Sequence, residues 1–126
     1  MDTVSVRYIV DDVEDSIEFY TKQLDFKVLM NPAPGFAMLQ RGGLRLLLNS
    51  PGQGGAGQSL PDGRKPQAGG WNRFQLEVED LEATVAELRR HGASFLNEIV
   101  TGQGGKQILL SDPAGNLVEL FQRAEQ

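Results

Sequence analysis

The chain contains no cysteine. That removes disulfides, thiolate metal ligands and cysteine nucleophiles in one step. Histidine is nearly absent too, with His91 as the single case. No apolar run approaches the roughly 20 residues that a membrane-spanning helix needs. The opening stretch MDTVSVRYIV carries an early acid and lacks a long apolar core, so it does not read as a signal peptide. A cytoplasmic location is the default expectation. Positive charge is also short: the formal net charge is -5 and the pI about 4.8. Nucleic acid is therefore not an expected partner, because phosphate binding needs a basic surface. What remains is ordinary. At 126 residues, 40% hydrophobic and 23% charged, the composition suits one globular domain, or two small halves that share a core.

Taken in order, Val4, Val6, Tyr8 and Val10 alternate with Ser5, Arg7 and Ile9, which predicts a strand with one buried face. Asp12 is placed to cap a helix over about Val13 to Gln23. Its expected inner face is Val13, Ile17, Tyr20 and Leu24. Phe26 to Met30 reads as a second strand and Pro32 to Gly35 as a turn. Phe36 to Gln40 and Leu44 to Asn49 follow as strands around the hairpin signal Arg41-Gly42-Gly43. The stretch from Asn49 to Gly70 then holds seven glycines and three prolines. It predicts a long loop, either a mobile connection or a lid with Arg64 or Lys65 supplying charge.

After the loop the pattern starts again. Phe74, Leu76 and Val78 alternate with polar neighbours. Asp80 can cap a helix whose face is Leu81, Val85 and Leu88, with Gly92 just beyond its end. Ala93 to Leu96 is an expected strand, with an irregular edge near Asn97 and Glu98. The segment from Gln107 to Gln122 reads as two strands about the turn Asp112-Pro113-Ala114-Gly115-Asn116. The halves match at a fixed offset: Asp12-Val13-Glu14 recurs as Asp80-Leu81-Glu82, Ile17 as Val85 and Tyr20 as Leu88. Both read β-α-β-β-β, and an internal repeat of this kind sets the fold class.

Three stretches, VRYIVDDVEDSIEFYTKQLDFKV (6–28), WNRFQLEVEDLEATVAELRRHG (71–92) and DPAGNLVELF (112–121), resemble the vicinal oxygen chelate superfamily. That superfamily holds glyoxalase I, extradiol dioxygenases, fosfomycin-resistance enzymes and bleomycin-resistance proteins. The resemblance implies an α+β fold of two tandem βαβββ modules with sheets curled around a cleft. A single glyoxalase-like domain over 1–126 would comprise module 1 (about 3–49), a Gly/Pro-rich linker (50–70) and module 2 (71–122). Relatives are commonly homodimers, and many, though not the bleomycin-binding proteins, hold a divalent metal in the cleft.

The family's metal positions fall on Ser5, about Leu46, Arg73 and Glu119. Of these only Glu119 is an ordinary ligand. Arginine stays protonated and offers no lone pair, while zinc, iron and manganese want three or four nitrogen or oxygen donors. No metal and no other cofactor is therefore expected. In place of a metal the resemblance puts a guanidinium opposite a carboxylate, suited to an ion pair. That pair could be structural. Alternatively, Arg73 could take an anionic or carbonyl group of a ligand while Glu119 accepts from a donor.

Arg7, Gln75 and Gln107 share the inward parity and could orient a ligand. Phe36, Met38, Leu48 and Phe121 could line an apolar pocket or pack in the core. Trp71 is either a stacking wall or an anchor of the core or an interface. His91 suits the end of its helix better than catalysis. The first expected function is metal-free binding of a small organic molecule, of antibiotic or aromatic-metabolite type. The alternatives are a lyase or dioxygenase-type enzyme, using a divalent metal or Glu119 as general base, and a structural or regulatory protein with a vestigial cleft. Ligand identity, the sharing of the cleft between copies and the role of loop 50–70 lie beyond the sequence.

Overall fold

The computed structural model describes residues 3–125. The chain forms two compact units. One runs to Gly69 and includes Pro113–Asn116; the other comprises Gly70–Asp112 and the chain from Leu117 onward.

The first unit is a four-stranded mixed sheet with one helix. Its elements are β1 (Val4–Ile9), α1 (Val13–Gln23), β2 (Lys27–Ala33), β3 (Phe36–Arg41) and β4 (Leu44–Asn49), in the spatial order β1-β4-β3-β2. β1 runs parallel to β4, and the other pairs are antiparallel. The Asp12 carboxylate caps α1 by accepting from the Asp15 N–H at 3.2 Å. The helix packs on β2, β3 and β4. Val13, Phe19, Tyr20, Leu24 and Phe26 are buried, as are Tyr8, Ala37, Leu39, Leu46 and Leu48 of the sheet. Tyr20 sits edge-on to Phe19 and Phe26, with ring centroids 5.0 and 5.4 Å away. Ile17, expected on the inner face, is only half-buried, while Ser16 and Phe19 are buried. The helix is therefore turned slightly from the orientation that its apolar spacing suggests.

Of the expected turn, Pro34 and Gly35 form it, whereas Pro32 and Ala33 belong to β2. Pro32 is tolerated because β2 is an edge strand, whose outer N–H groups have no ladder partner to lose. Two register shifts against β3 accommodate the extra length. Beyond β4 the segment from Ser50 to Gln58 folds back on itself. Gln53 N–H donates to the Ser50 carbonyl at 3.1 Å, Gly57 N–H to Gln53 at 3.1 Å and Gln58 N–H to Gly55 at 3.4 Å. Asn49, 2% exposed, joins this turn to the sheet: its amide donates to the Gln53 carbonyl at 3.3 Å. Arg64 is paired with Asp62 within the loop at 2.8 Å. Asn116 accepts from the Gly69 N–H and donates to the Ile9 carbonyl, both at 2.8 Å.

The second unit repeats the plan with β5 (Arg73–Glu77), α2 (Leu81–Arg90), β6 (Ser94–Phe95), β7 (Val100–Thr101), β8 (Gly105–Ser111) and β9 (Leu117–Arg123). The spatial order is β5-β9-β8-β6, with β7 also on β8. Asp80 caps α2 through the Ala83 N–H at 3.0 Å, and Gly92 leaves the helix at φ +84°. Leu81, Val85 and Leu88 bury the helix face, together with Phe74, Leu76, Ile108, Leu110, Val118 and Leu120. The expected strand from Ala93 to Leu96 shrinks to two residues. Asn97 takes over there, its side-chain oxygen accepting from the Leu109 N–H at 3.0 Å. No helix among the described residues is long and apolar enough to cross a membrane.

Candidate functional site

Each sheet has one face under its helix and one open face, and strand register decides which residue goes where. In the second unit β5 and β9 run parallel, with Arg73 opposite Leu117 and Gln75 opposite Glu119. Side chains alternate between faces. Phe74, Leu76, Val118 and Leu120 point to α2, so Arg73, Gln75, Glu119 and Phe121 occupy the open face. β8 adds Gln107, opposite Phe121, and Leu109, opposite Glu119.

Glu119 is the centre of this face. It is 8% exposed. A carboxylate so withdrawn from water is costly unless it is paired and hydrogen-bonded, and here it is both. Arg73 reaches two residue pairs along the ladder, donating to Oε1 from Nε at 3.0 Å and from Nη2 at 2.9 Å. Gln75 donates from Nε2 to Oε2 at 2.6 Å. The pair expected from the sequence therefore forms. Its geometry is side-on, two guanidinium N–H groups converging on one oxygen, and Gln75 is a third participant. An ionised carboxylate has about four acceptor positions, and three are engaged. The free position is on Oε2.

This donor set does not fit a divalent metal. Glu119 has one acceptor position to spare, and its neighbours Arg73 and Gln75 present N–H groups to it. No group of three or more His, Cys, Asp or Glu side chains among the described residues is arranged to hold a metal ion. Register also corrects the fourth family position. Gln75 opposes Glu119 as its counterpart Arg7 opposes Leu47. Leu47, half-buried on the open face, is therefore the counterpart of Glu119, whereas Leu46 is fully buried under α1. Neither is a ligand.

The other candidates fall into separate places. Phe36 and Met38 are half-buried on the open face of the first sheet, with Arg7 exposed beside them. Leu48 has the opposite parity and is fully buried, so it reaches no open surface. Trp71 is 76% exposed ahead of β5 and is no core anchor; its carbonyl accepts from Arg73 at 3.4 Å. His91 is the C-terminal cap of α2, its Nδ1 2.9 Å from the Glu87 carbonyl oxygen. A groove of about 340 Å³ lies at the ends of β7, β8 and β9, lined by Thr101, Gly105, Lys106 and Gln122 among others; it does not include Arg73 or Glu119. Sequence reasoning missed Arg45. It lies on the same open face as Arg7, which becomes visible once β1 is paired with β4.

Comparison with known proteins agrees with this architecture. Residues 3–120 match a family model described as "Glyoxalase/Bleomycin resistance protein/Dioxygenase superfamily". No curated protein matches the sequence significantly. Among solved structures, a member of that superfamily from Sphaerobacter thermophilus DSM 20745 is similar at 22% identity and TM-score 0.76, covering 98% of each chain. TnmS3, an antibiotic binding protein from Streptomyces sp. CB03234, is similar at 22% identity and TM-score 0.74, covering 98% of this chain and 97% of its own. A lactoylglutathione lyase from Agrobacterium tumefaciens has 19% identity and TM-score 0.74, with coverage of 96% and 92%. At these identities the likeness speaks for the fold.

Proposed function

The chain belongs to the Glyoxalase/Bleomycin resistance protein/Dioxygenase superfamily, and from that premise we propose that it binds a small organic molecule, of antibiotic or aromatic-metabolite type, without a metal. The observation that carries this reading is the Arg73–Glu119–Gln75 network on the open face of the second sheet. It presents a guanidinium edge and one free carboxylate position, beside the half-buried ring of Phe121 and the Gln107 amide. Binding sites of this kind are mostly apolar, with a few fixed polar groups that set orientation. Arg73 would take a carbonyl or anionic group, and Oε2 of Glu119 would accept from a ligand O–H or N–H. Among structural relatives TnmS3 is an antibiotic binding protein, which supports the binding of a small molecule.

The test is a thermal-shift screen against antibiotics and aromatic metabolites, run on the wild type and on Arg73→Leu. A ligand that binds only the native state raises the melting temperature, and above its Kd the rise continues with the logarithm of ligand concentration. The expected outcome is a concentration-dependent rise in the wild type, with affinity weakened about tenfold or more in the variant, as for a lost charge-assisted hydrogen bond. Equal affinity in both proteins would take Arg73 out of the site. Steady consumption of a hit compound would replace binding by catalysis.

A further inference from the structure

The segment beyond β4 has little of what usually holds a loop in place. Between Ser50 and Gln58 only Gly57 is buried and Ala56 and Ser50 are half-buried, while Pro51, Gln53 and Gln58 are exposed. No large apolar side chain anchors it. Its order comes from hydrogen bonds between backbone groups: Gly52 N–H donates to the Gly57 carbonyl at 2.6 Å, and Gly57 N–H to that of Gln53 at 3.1 Å. Segments with few buried apolar contacts and exposed backbone hydrogen bonds open locally at low cost. The ties between this segment and the sheet therefore decide how ordered it is. One is the Ser50 N–H, which donates to the Gly35 carbonyl at 3.1 Å. The other is the Asn49 side chain, which reaches the Gln53 carbonyl.

Both ends of the buried Asn49 amide are committed. Its Oδ1 accepts from Nη1 of Arg7 at 2.9 Å, and its Nδ2 donates to the Gln53 carbonyl at 3.3 Å. The two ends of an amide have opposite character, acceptor and donor. Turned over, this one would set N–H groups against the guanidinium and an oxygen against the Gln53 carbonyl, and both contacts would repel. Arg7 therefore fixes which way Asn49 faces, and with it the bond to Gln53. The Gln53 carbonyl in turn carries the Gly57 N–H, so the side-chain tie and the turn meet on one oxygen. Packing there leaves no slack. A Cβ at Gly57 would collide with the Gln53 and Ser50 carbonyl oxygens, and one at Gly35 with the Gln53 side chain. Arg7 itself is exposed, so other groups can compete with Asn49 for its guanidinium.

We infer that Arg7, Asn49 and Gln53 form a latch, a conformational device that couples the Arg7 guanidinium on β1 to the strap of residues 50–58. Arg7 acts on the strap through Asn49, by orienting its amide. Coupling of this kind is reciprocal. A group that draws Arg7 off Asn49 loosens the strap, and loosening the strap frees Arg7. The latch involves neither Arg73 nor Glu119 and stands whether or not the second sheet binds a ligand.

The experiment reads both directions by NMR on the intact chain. In Arg7→Leu, hydrogen exchange at the Gly52 and Gly57 amides is expected to rise about tenfold, the usual effect of losing one hydrogen bond to a charged group. Amides of β8 and β9 should keep their rates. Gly57→Ala disturbs the strap from its other end, where a Cβ has no room. In that variant the order parameter of the Arg7 Nε–Hε group should fall below its wild-type value. That of Arg41, whose Nη1 donates to the Leu24 carbonyl at 3.0 Å, should not change. Unchanged Gly57 exchange in Arg7→Leu would overturn the latch. So would equal acceleration across β3, β4 and the strap, which marks a loss of the whole unit and no local coupling. An Arg7 order parameter that Gly57→Ala leaves untouched would overturn it from the other side, because a coupled pair must respond both ways.

Discussion

Glu119→Ala is expected to destabilise the protein by about 1–3 kcal/mol, the range for leaving a charged partner unsatisfied in a partly buried place. The Arg73 side chain is 30% exposed and that of Glu119 10%. Water can therefore solvate the orphaned guanidinium in part, which keeps the figure below that of a fully buried pair. At roughly 4 °C per kcal/mol for a chain of this size, the melting temperature should fall by about 4–12 °C. The informative companion is the double variant Arg73→Leu/Glu119→Leu. Replacing both partners by apolar groups removes the unpaired charge and should restore most of the lost stability. It should not restore the response to ligand. Stability and ligand response would then separate, as they must if the pair serves recognition. If the double variant regains both, the pair is structural only.

Leu48→Ala should cost about 2–5 kcal/mol, as is usual for a fully buried leucine replaced by alanine. Leu48 is 0% exposed beneath α1, in the layer that holds Tyr8, Ala37 and Leu46. Met38→Ala, one residue pair away but on the half-covered open face, should cost about 1 kcal/mol or less, in line with partial burial. Chemical denaturation of the two variants side by side measures this contrast directly. Equal costs would mean that the faces of the first sheet are assigned wrongly.

Much of the fold was legible because it rests on local chemistry. The helix from Val13 to Gln23 and the strand from Leu44 to Asn49 begin and end where caps and hairpin glycines place them. The Arg73–Glu119 pair was accessible only through the family resemblance, whose inward positions fall on both residues. Leu48 was not assignable in the same way. Its strand reads Leu44-Arg45-Leu46-Leu47-Leu48, apolar at both parities, so alternation cannot distinguish the faces. Only pairing with β1 and β3 does that. Pro32 misled for a related reason: edge position, which excuses a proline in a strand, is a property of the sheet and not of the segment. The third member of the network, Gln75, was seen as an inward polar group, but its hydrogen bond depends on the exact register of β5 on β9. The folding-back of residues 50–58 uses backbone groups among glycines, where side chains give little signal.

The central claim is that an ion pair, and not a metal, organises the open face of the second sheet. Metal content of untagged protein purified without chelator, with melting temperatures read against manganese, iron, nickel and zinc, tests it most directly. The account predicts no stoichiometric metal, no metal-dependent rise in melting temperature, and a ligand-induced rise that survives added chelator. Near-stoichiometric metal that is lost in Glu119→Ala would contradict it.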